Sequence, residues 1–327
     1  MADITKNPIF TDEAAARAHL EAIRWPQGVI CLHCGAYGDA ISTVQKTGTR
    51  RKPAAEGKRH KPARAGRYYC KDCEGTFTVT VGTVMEDSHI PLNKWLFAFY
   101  LMLSSKKGIS SHQLHRSLGV SYKTAWFMSH RIREALRSGF LAPPMTGPIT
   151  EADDTYIGRK QGVPKAKKAG HHKMSVLTLI NRGAGEARSF HVDRVDGQTV
   201  LPIVRANIAK ETAIVTDEAA HYRTLKRTHY HATVNHQAKE WAAGEYHTNT
   251  VENYFSVFKR GMKGVYQHCS EKHLHRYLAE FDFRYSNRSG LGVDDAKRTD
   301  RALRGIEGKR LTYRRIGRAR SEAGHEA

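Results

Sequence analysis

The 327-residue sequence has no long hydrophobic run. A helix that crosses a membrane needs roughly 18 or more apolar residues in a row, and the longest apolar segment, Trp95–Leu103, is far shorter. The first residues, MADITKNPIF, lack the apolar core and small-residue cleavage site of a secretory signal. Both lacks predict a soluble, cytoplasmic protein with no membrane partner. Acid is scarce as well: 32 Asp and Glu face 53 Lys and Arg, a net charge of +21. Such an excess argues for a polyanionic partner, because each cation set on a phosphate releases a condensed counterion. Cysteine is rare, with five in all, and in a reducing compartment they do not read as disulfides. The apolar share of 40% still suffices for a buried core, and the length suits two or three domains.

Four of the cysteines form two CxxC pairs, Cys31–Cys34 and Cys70–Cys73. Each pair bends the chain so that both sulfurs face one ion, and two pairs complete the four-thiolate tetrahedron that structural zinc prefers. Gly35 and Gly75 follow the pairs where the backbone must turn. Arg67–Tyr69 and Thr76–Val81 are β-branched or alternating and read as strands. Residues 10–85 are therefore a zinc ribbon. His33 is read as a surface residue and Cys269 as an ordinary thiol. Between the pairs lie 35 residues, against roughly 15–20 in common zinc sites. The excess, 45–67, is a basic run with two Pro, three Gly and almost nothing apolar. It is either a phosphate-binding arm or a solvated insertion.

Ahead of the ribbon, Thr11 or Asp12 caps a short helix through Ile23. Beyond it, Pro91 opens an amphipathic helix whose apolar face is Leu92, Trp95, Leu96, Phe99, Tyr100 and Leu103. Ser110 or Ser111 then caps a helix to about Leu118. Gly119-Val120-Ser121 turns, and a second helix runs from about Tyr122 to Leu136. Two helices joined by a short turn with Gly form a helix-turn-helix layout over residues 90–140. The leading residues of the second helix would enter a DNA groove. Tyr122, Lys123, Thr124, Phe127 and Arg131 are the candidates. A packing hairpin has the same pattern.

A Pro- and Gly-rich linker, APPMTGP, closes this part. Strands are expected at 149–158, 174–181, 187–195, 213–215 and 232–235, with helices at 199–208, 248–262 and 270–284. That order is the ribonuclease H-like one, in residues 146–290. Asp153 lies in the first strand, Asp217 ends the fourth, and Glu252 lies in the helix after the last strand. In this topology the first and fourth strands are neighbours, so the two aspartates can meet and the helix can lay its glutamate across them. Three carboxylates at one point need divalent cations, and they offer the hard oxygens that magnesium or manganese takes. Two such ions serve in-line phosphodiester displacement. Lys259, two helical turns beyond Glu252, lies on the same face and is either a holder of a DNA phosphate or an exposed lysine. Residues 291–327 read as a basic tail.

The stretches CLHCG, YYCKDC with TFTVTVGTVME, KKGISSHQL, EADDTYIG, VTDEAAHY and HTNTVENYFSVFKRGMKGVY together resemble a bacterial insertion-sequence transposase of the Merlin-related group. Such proteins carry an N-terminal zinc ribbon and a DDE domain. The resemblance implies catalytic roles for Asp153 and Asp217, and a third position in Asn-Thr-Val-Glu-Asn. There Glu252 is favoured over Asn253 because a carboxylate holds a dication better than an amide. It implies binding of terminal inverted repeats and target DNA, cleavage and strand transfer, and a homo-oligomer on DNA associated with the nucleoid. The rival readings are an inactive DNA-binding regulator and a structure-specific nuclease. The long basic insertion and the lysine-rich 159–168 depart from the pattern.

Overall fold

The computed structural model describes residues 6–44, 65–137, 142–165, 172–234 and 244–312. Most of the basic insertion and the arginines beyond Leu311 lie outside the described residues, as do residues 166–168 of the lysine-rich stretch.

The front end begins with α1 (Pro8–Thr11) and α2 (Glu13–Arg24). Asp12 starts α2, its side chain accepting from the amides of Ala14 and Ala15. Three antiparallel strands follow in the order β1 (Ile41–Thr43), β2 (Arg67–Cys70), β3 (Thr76–Thr78). The expected strand through Val81 stops at Thr78. There the chain turns, with Val81 N bonded to Thr78 O and Thr83 N to Thr80 O, and Val79, Val84 and Met85 enter the core. Pro91 precedes α3 (Leu92–Ser104), which buries Leu92, Trp95, Leu96, Phe99 and Leu103. Ser110 and Gln113 form a reciprocal capping box at the start of α4 (Ser111–Leu118). Gly119 has φ +59, a left-handed turn that glycine adopts without cost. Ser121 then caps α5 (Tyr122–Ala135).

The second half is a mixed sheet in the order β6-β5-β4-β7-β8. β4 (Ile149–Ile157), β5 (Met174–Asn181) and β6 (Glu186–Val192) run antiparallel. β7 (Ala213–Asp217) is parallel to β4, and β8 (His231–Val234) is parallel to β7. β5 is buried along its whole length, as a strand covered on both faces must be. α6 (Gly197–Asn207) covers one face, packing Val200 and Val204 with Ala152, Leu177 and Ile214. α7 (Asn249–Gly261) and α8 (Glu271–Ser286) cover the other, packing Val251, Phe258 and Phe281 with Ile157 and Val176. This is a ribonuclease H-like sheet, in the strand order read from the sequence.

Two features join the halves. α5 lies against α8 through the buried pair Arg133–Glu280, 2.7 Å apart, and through His130, whose ring meets those of His273 and Tyr277. Beyond α8, α9 (Asp295–Arg304) returns to the front end, where Ala302, Leu303 and Ile306 enter the core with Leu20 and Trp95. Each large apolar side chain so buried contributes roughly 1.5–3 kcal/mol. The segment read as a basic tail thus begins with a packed helix. Its charged face is tied down by His19–Asp300 at 3.0 Å and Arg24–Glu307 at 2.7 Å.

Candidate active site

Side chains alternate across a strand, and β4 uses both faces. Glu151, Asp153 and Ile157 point toward α7, whereas Ala152 and Asp154 point toward α6. The β4–β7 ladder pairs Ile149 with Ala213, Thr150 with Ile214 and Glu151 with Val215. The same offset carried two residues further sets Asp217 beside Asp153. Glu252 stands in the first turn of α7 and accepts a hydrogen bond from Thr248 Oγ1 at 3.1 Å.

The three acids feel one another. Burial, then the charges of Asp154 and Asp217, push the Asp153 carboxyl up to about 7, and Glu252 adds to the push. Their oxygens do not all three close to within 4.8 Å of one another. Among the described residues the only such group of three or more possible ligands is the cysteine cluster. Lys259 is half-buried on α7 and within the field of Asp153. Asn253 lines a cavity away from the acids, together with Asn249 one helical turn earlier. On the α6 side His221 Nε2 lies 3.3 Å from Asp154.

Glu151 was not singled out in the sequence reading. It is fully buried, and its Oε2 accepts the backbone N–H groups of Thr250 and Val251, each at 2.9 Å. Thr248, at the N-cap of α7, makes no side-chain cap, so a strand residue caps the helix instead. Oε1 of Glu151 takes Arg182 Nε at 2.5 Å. Arg182 in turn donates to the carbonyl of His247, just before the helix. The signal was present in Glu151-Ala152-Asp153, two acids of one strand on one face.

The cysteines cluster as expected. Cys31 and Cys73 Sγ are 3.6 Å apart, as are Cys34 and Cys70. A zinc tetrahedron with Zn–S near 2.3 Å has edges of about 3.8 Å, so the four thiols fit the ion. His33 is exposed, its ring edge-on to Phe77. Gly35 has φ +80, but at the second pair the left-handed residue is Glu74, with φ +53. Gly75 is needed for space: a Cβ there would stand 3.2 Å from Cys73 Sγ.

On α5, Tyr122 and Lys123 are exposed, and Thr124 and Phe127 are half-buried. Arg131 is not on that face. It is 6% exposed, donates to the Glu86 carbonyl at 2.5 Å, and lies over the rings of Trp95 and Phe127. Its long apolar stem let it join the core, a habit of arginine that charge alone does not reveal.

Residues 144–286 match the ISXO2-like transposase domain family. The chain is similar to an uncharacterized protein in transposable element ISH50 of Halobacterium salinarum, at 28% identity over 84% of this chain and 91% of the relative. It is also similar to an uncharacterized transposase-like protein of Haemophilus influenzae, at 26% identity over 29% of this chain and 77% of the relative. A chain in the cryoEM structure of a simian T-cell lymphotropic virus intasome with PP2A regulatory subunit B56 gamma has 12% identity and a TM-score of 0.28 to it. That likeness spans 52% of this chain and 63% of the other.

Proposed function

We infer, from the match of residues 144–286 to the ISXO2-like transposase domain family and the likeness to a transposable-element protein over most of the chain, that this chain is an insertion-sequence transposase that cuts and joins DNA at Asp153, Asp217 and Glu252. The reading rests on one observation: the β4–β7 ladder ends at the Glu151–Val215 pair, two residues short of both aspartates, so that the same offset sets them side by side under a helix that carries the glutamate. Hard carboxylate oxygens on a crowded, partly buried site fit magnesium or manganese, and the upward push on Asp153, from burial first and then from the neighbouring acids, is one that a cation would relieve. When bound, such ions polarise the phosphodiester and steady the charge on attacking and leaving oxygens.

The chain's own residues do the rest. The ribbon and the α4–α5 pair, a helix-turn-helix, engage the terminal inverted repeats, with Tyr122, Lys123 and Thr124 toward the groove. Lys259 steadies a phosphate beside the acids. Water attacks phosphorus, the P–O3′ bond breaks, and the leaving oxygen takes a proton to become a 3′-hydroxyl. That hydroxyl attacks a target phosphodiester and displaces another 3′ oxygen. One P–O bond forms for each broken, so no redox partner is needed. Two ends held together call for two or more copies of the chain.

The test is a cleavage-and-joining assay on DNA bearing the element's own ends, with magnesium or manganese. Asp153→Asn removes both cut and joined products while leaving DNA binding intact. Unchanged products from that variant would sink the reading. Cuts without joined products in the wild type would make it a nuclease.

A further inference from the structure

Between α7 and the front end lies a cavity of about 620 Å³. Asn253 and Val257 of α7, Phe281 and Tyr285 of α8, Arg288 just beyond α8, and Lys106 after α3 stand in its walls. It is not the acid cluster, which lies about a quarter-turn around α7. A volume in the range of roughly 300–1,000 Å³, with apolar walls and a few polar groups, is that of a small-molecule site.

The charge around it is unbalanced. Lys106, Arg284, Arg288 and Arg298 line the cavity against one carboxylate, Asp295, which lies 2.5 Å from Arg298. Behind the wall, Arg133 and Arg284 share the single buried carboxylate of Glu280. Arg284 is 7% exposed, and its Nε and Nη2 have no hydrogen-bond partner among the described residues. Arg288 spends its Nη1 on the carbonyls of Gly185 and Tyr285 and lies 4.2 Å over the Tyr285 ring. Among the described residues no ion pair reaches Arg288 or the exposed Lys106. A buried or half-buried guanidinium without its own counter-ion is costly, and a planar one over an aromatic ring is suited to phosphate and to a stacked base.

We propose that this cavity receives one DNA nucleotide that has left the base stack. Its phosphate lies at Lys106 and Arg288, its base against the half-buried Tyr285 and the guanidinium that lies over that ring, and its edge toward Asn249 and Asn253. The cavity thereby fixes the strand one helical step from Glu252. The inference rests on the DNA transposase reading and goes beyond it by placing a nucleotide. An unpaired base enters such a pocket at lower cost than a paired one, since pairing and stacking need not be broken.

The experiment compares full-length protein binding to a short fluorescent duplex and to the same duplex with one mismatched nucleotide. The wild type binds the mismatched duplex about fivefold tighter or more, the scale of one base stacked on an aromatic wall. Lys106→Glu and Arg288→Ala, each with unchanged thermal melting, abolish the preference and leave paired-duplex affinity within about twofold of a control substitution at exposed Lys210. Photocrosslinking of 5-iodouracil at the mismatch reaches the α8 peptide with Phe281 and Tyr285. A wild type that binds both duplexes equally, or a preference that survives both variants, overturns the nucleotide pocket alone. A wild type that binds neither duplex overturns the DNA reading and the pocket with it. Should Arg288→Ala melt early, Lys106→Glu decides the question, because that side chain is on the surface.

Discussion

The carboxylate of Glu151 stands 2.9 Å from the amide nitrogen of Val251, and through that bond the strand that carries Asp153 grips the helix that carries Glu252. Glu151 lies two positions before Asp153 along β4, and Val251 lies immediately before Glu252 along α7. The spacing of Asp153 and Glu252, two of the three proposed catalytic acids, therefore depends on a fourth acid that is walled off from solvent.

Glu151→Gln is expected to keep the fold but lose that grip. The amide leaves Arg182 without its counter-charge, a change that costs about 2–4 kcal/mol for a buried pair. Urea midpoints read the loss. Manganese affinity by titration calorimetry is the sharper reading, since a purely structural role would leave it alone. Wild-type affinity in a destabilised Glu151→Gln protein would show that the bond only holds the fold.

The ribbon should carry one zinc per chain by elemental analysis. Cys31 and Cys70 are buried in the front-end core beside Leu20 and Phe77, so Cys70→Ser both releases the ion and opens that core. A loss of about 3 kcal/mol or more is expected, because structural zinc supplies folding energy directly. Chelation of the wild type should lower its melting temperature in the same direction. An undiminished melting temperature after proven metal removal would contradict this.

Two basic residues of α5 should part company. Arg131→Ala removes a hydrogen bond to Glu86 and the guanidinium's stacking on Trp95 and Phe127, and should destabilise by about 1–3 kcal/mol. Lys123→Ala should leave stability unchanged, weaken duplex binding, and lower the slope of log affinity against log salt by about 1. Anisotropy at several salt concentrations checks it. The opposite pattern would mean that α5 meets DNA with its other face.

His130 makes the protein acid-sensitive. It is 1% exposed, and neither ring nitrogen has a hydrogen-bond partner among the described residues. Burial, then the charge of Arg133, holds its pKa down to about 2, against 6.5 for the free side chain. The folded value lies below the unfolded one, so the unfolded chain takes a proton that the fold refuses. The stability at stake is complete above pH 6.5 and falls as pH drops below it, by up to about 1.4 kcal/mol per unit. His130→Phe should flatten denaturation midpoints between neutral pH and about pH 5. An unchanged slope in that variant would assign the acid sensitivity elsewhere.

Much of this architecture was legible in the chain. β5 reads as eight residues of buried strand and is one, and of the two serines that could start α4 the cap is Ser110, while Ser121, expected only in the turn, caps α5. What escaped depended on distant partners. Glu151 looked like one acid among several because its role is defined by amides a hundred residues away. The apolar stripe of α9, Ala302 and Leu303, is short and set among arginines, so composition there suggested a solvated tail. Asp153 and Asp217 could be placed near each other in advance because strand order alone sets β4 beside β7.

The return of α9 to the first helices bears on how the protein is made. A growing polypeptide usually settles its leading domain while the rest is still on the ribosome. Here the pocket that awaits Leu303 and Ile306, beside Leu20 and Trp95, stays open until the whole mixed sheet and α8 have been synthesised. The region of the cysteine cluster is thus translated well before the residues that close its core. A fragment ending soon after the linker should emerge sticky and short-lived, whatever metal it holds.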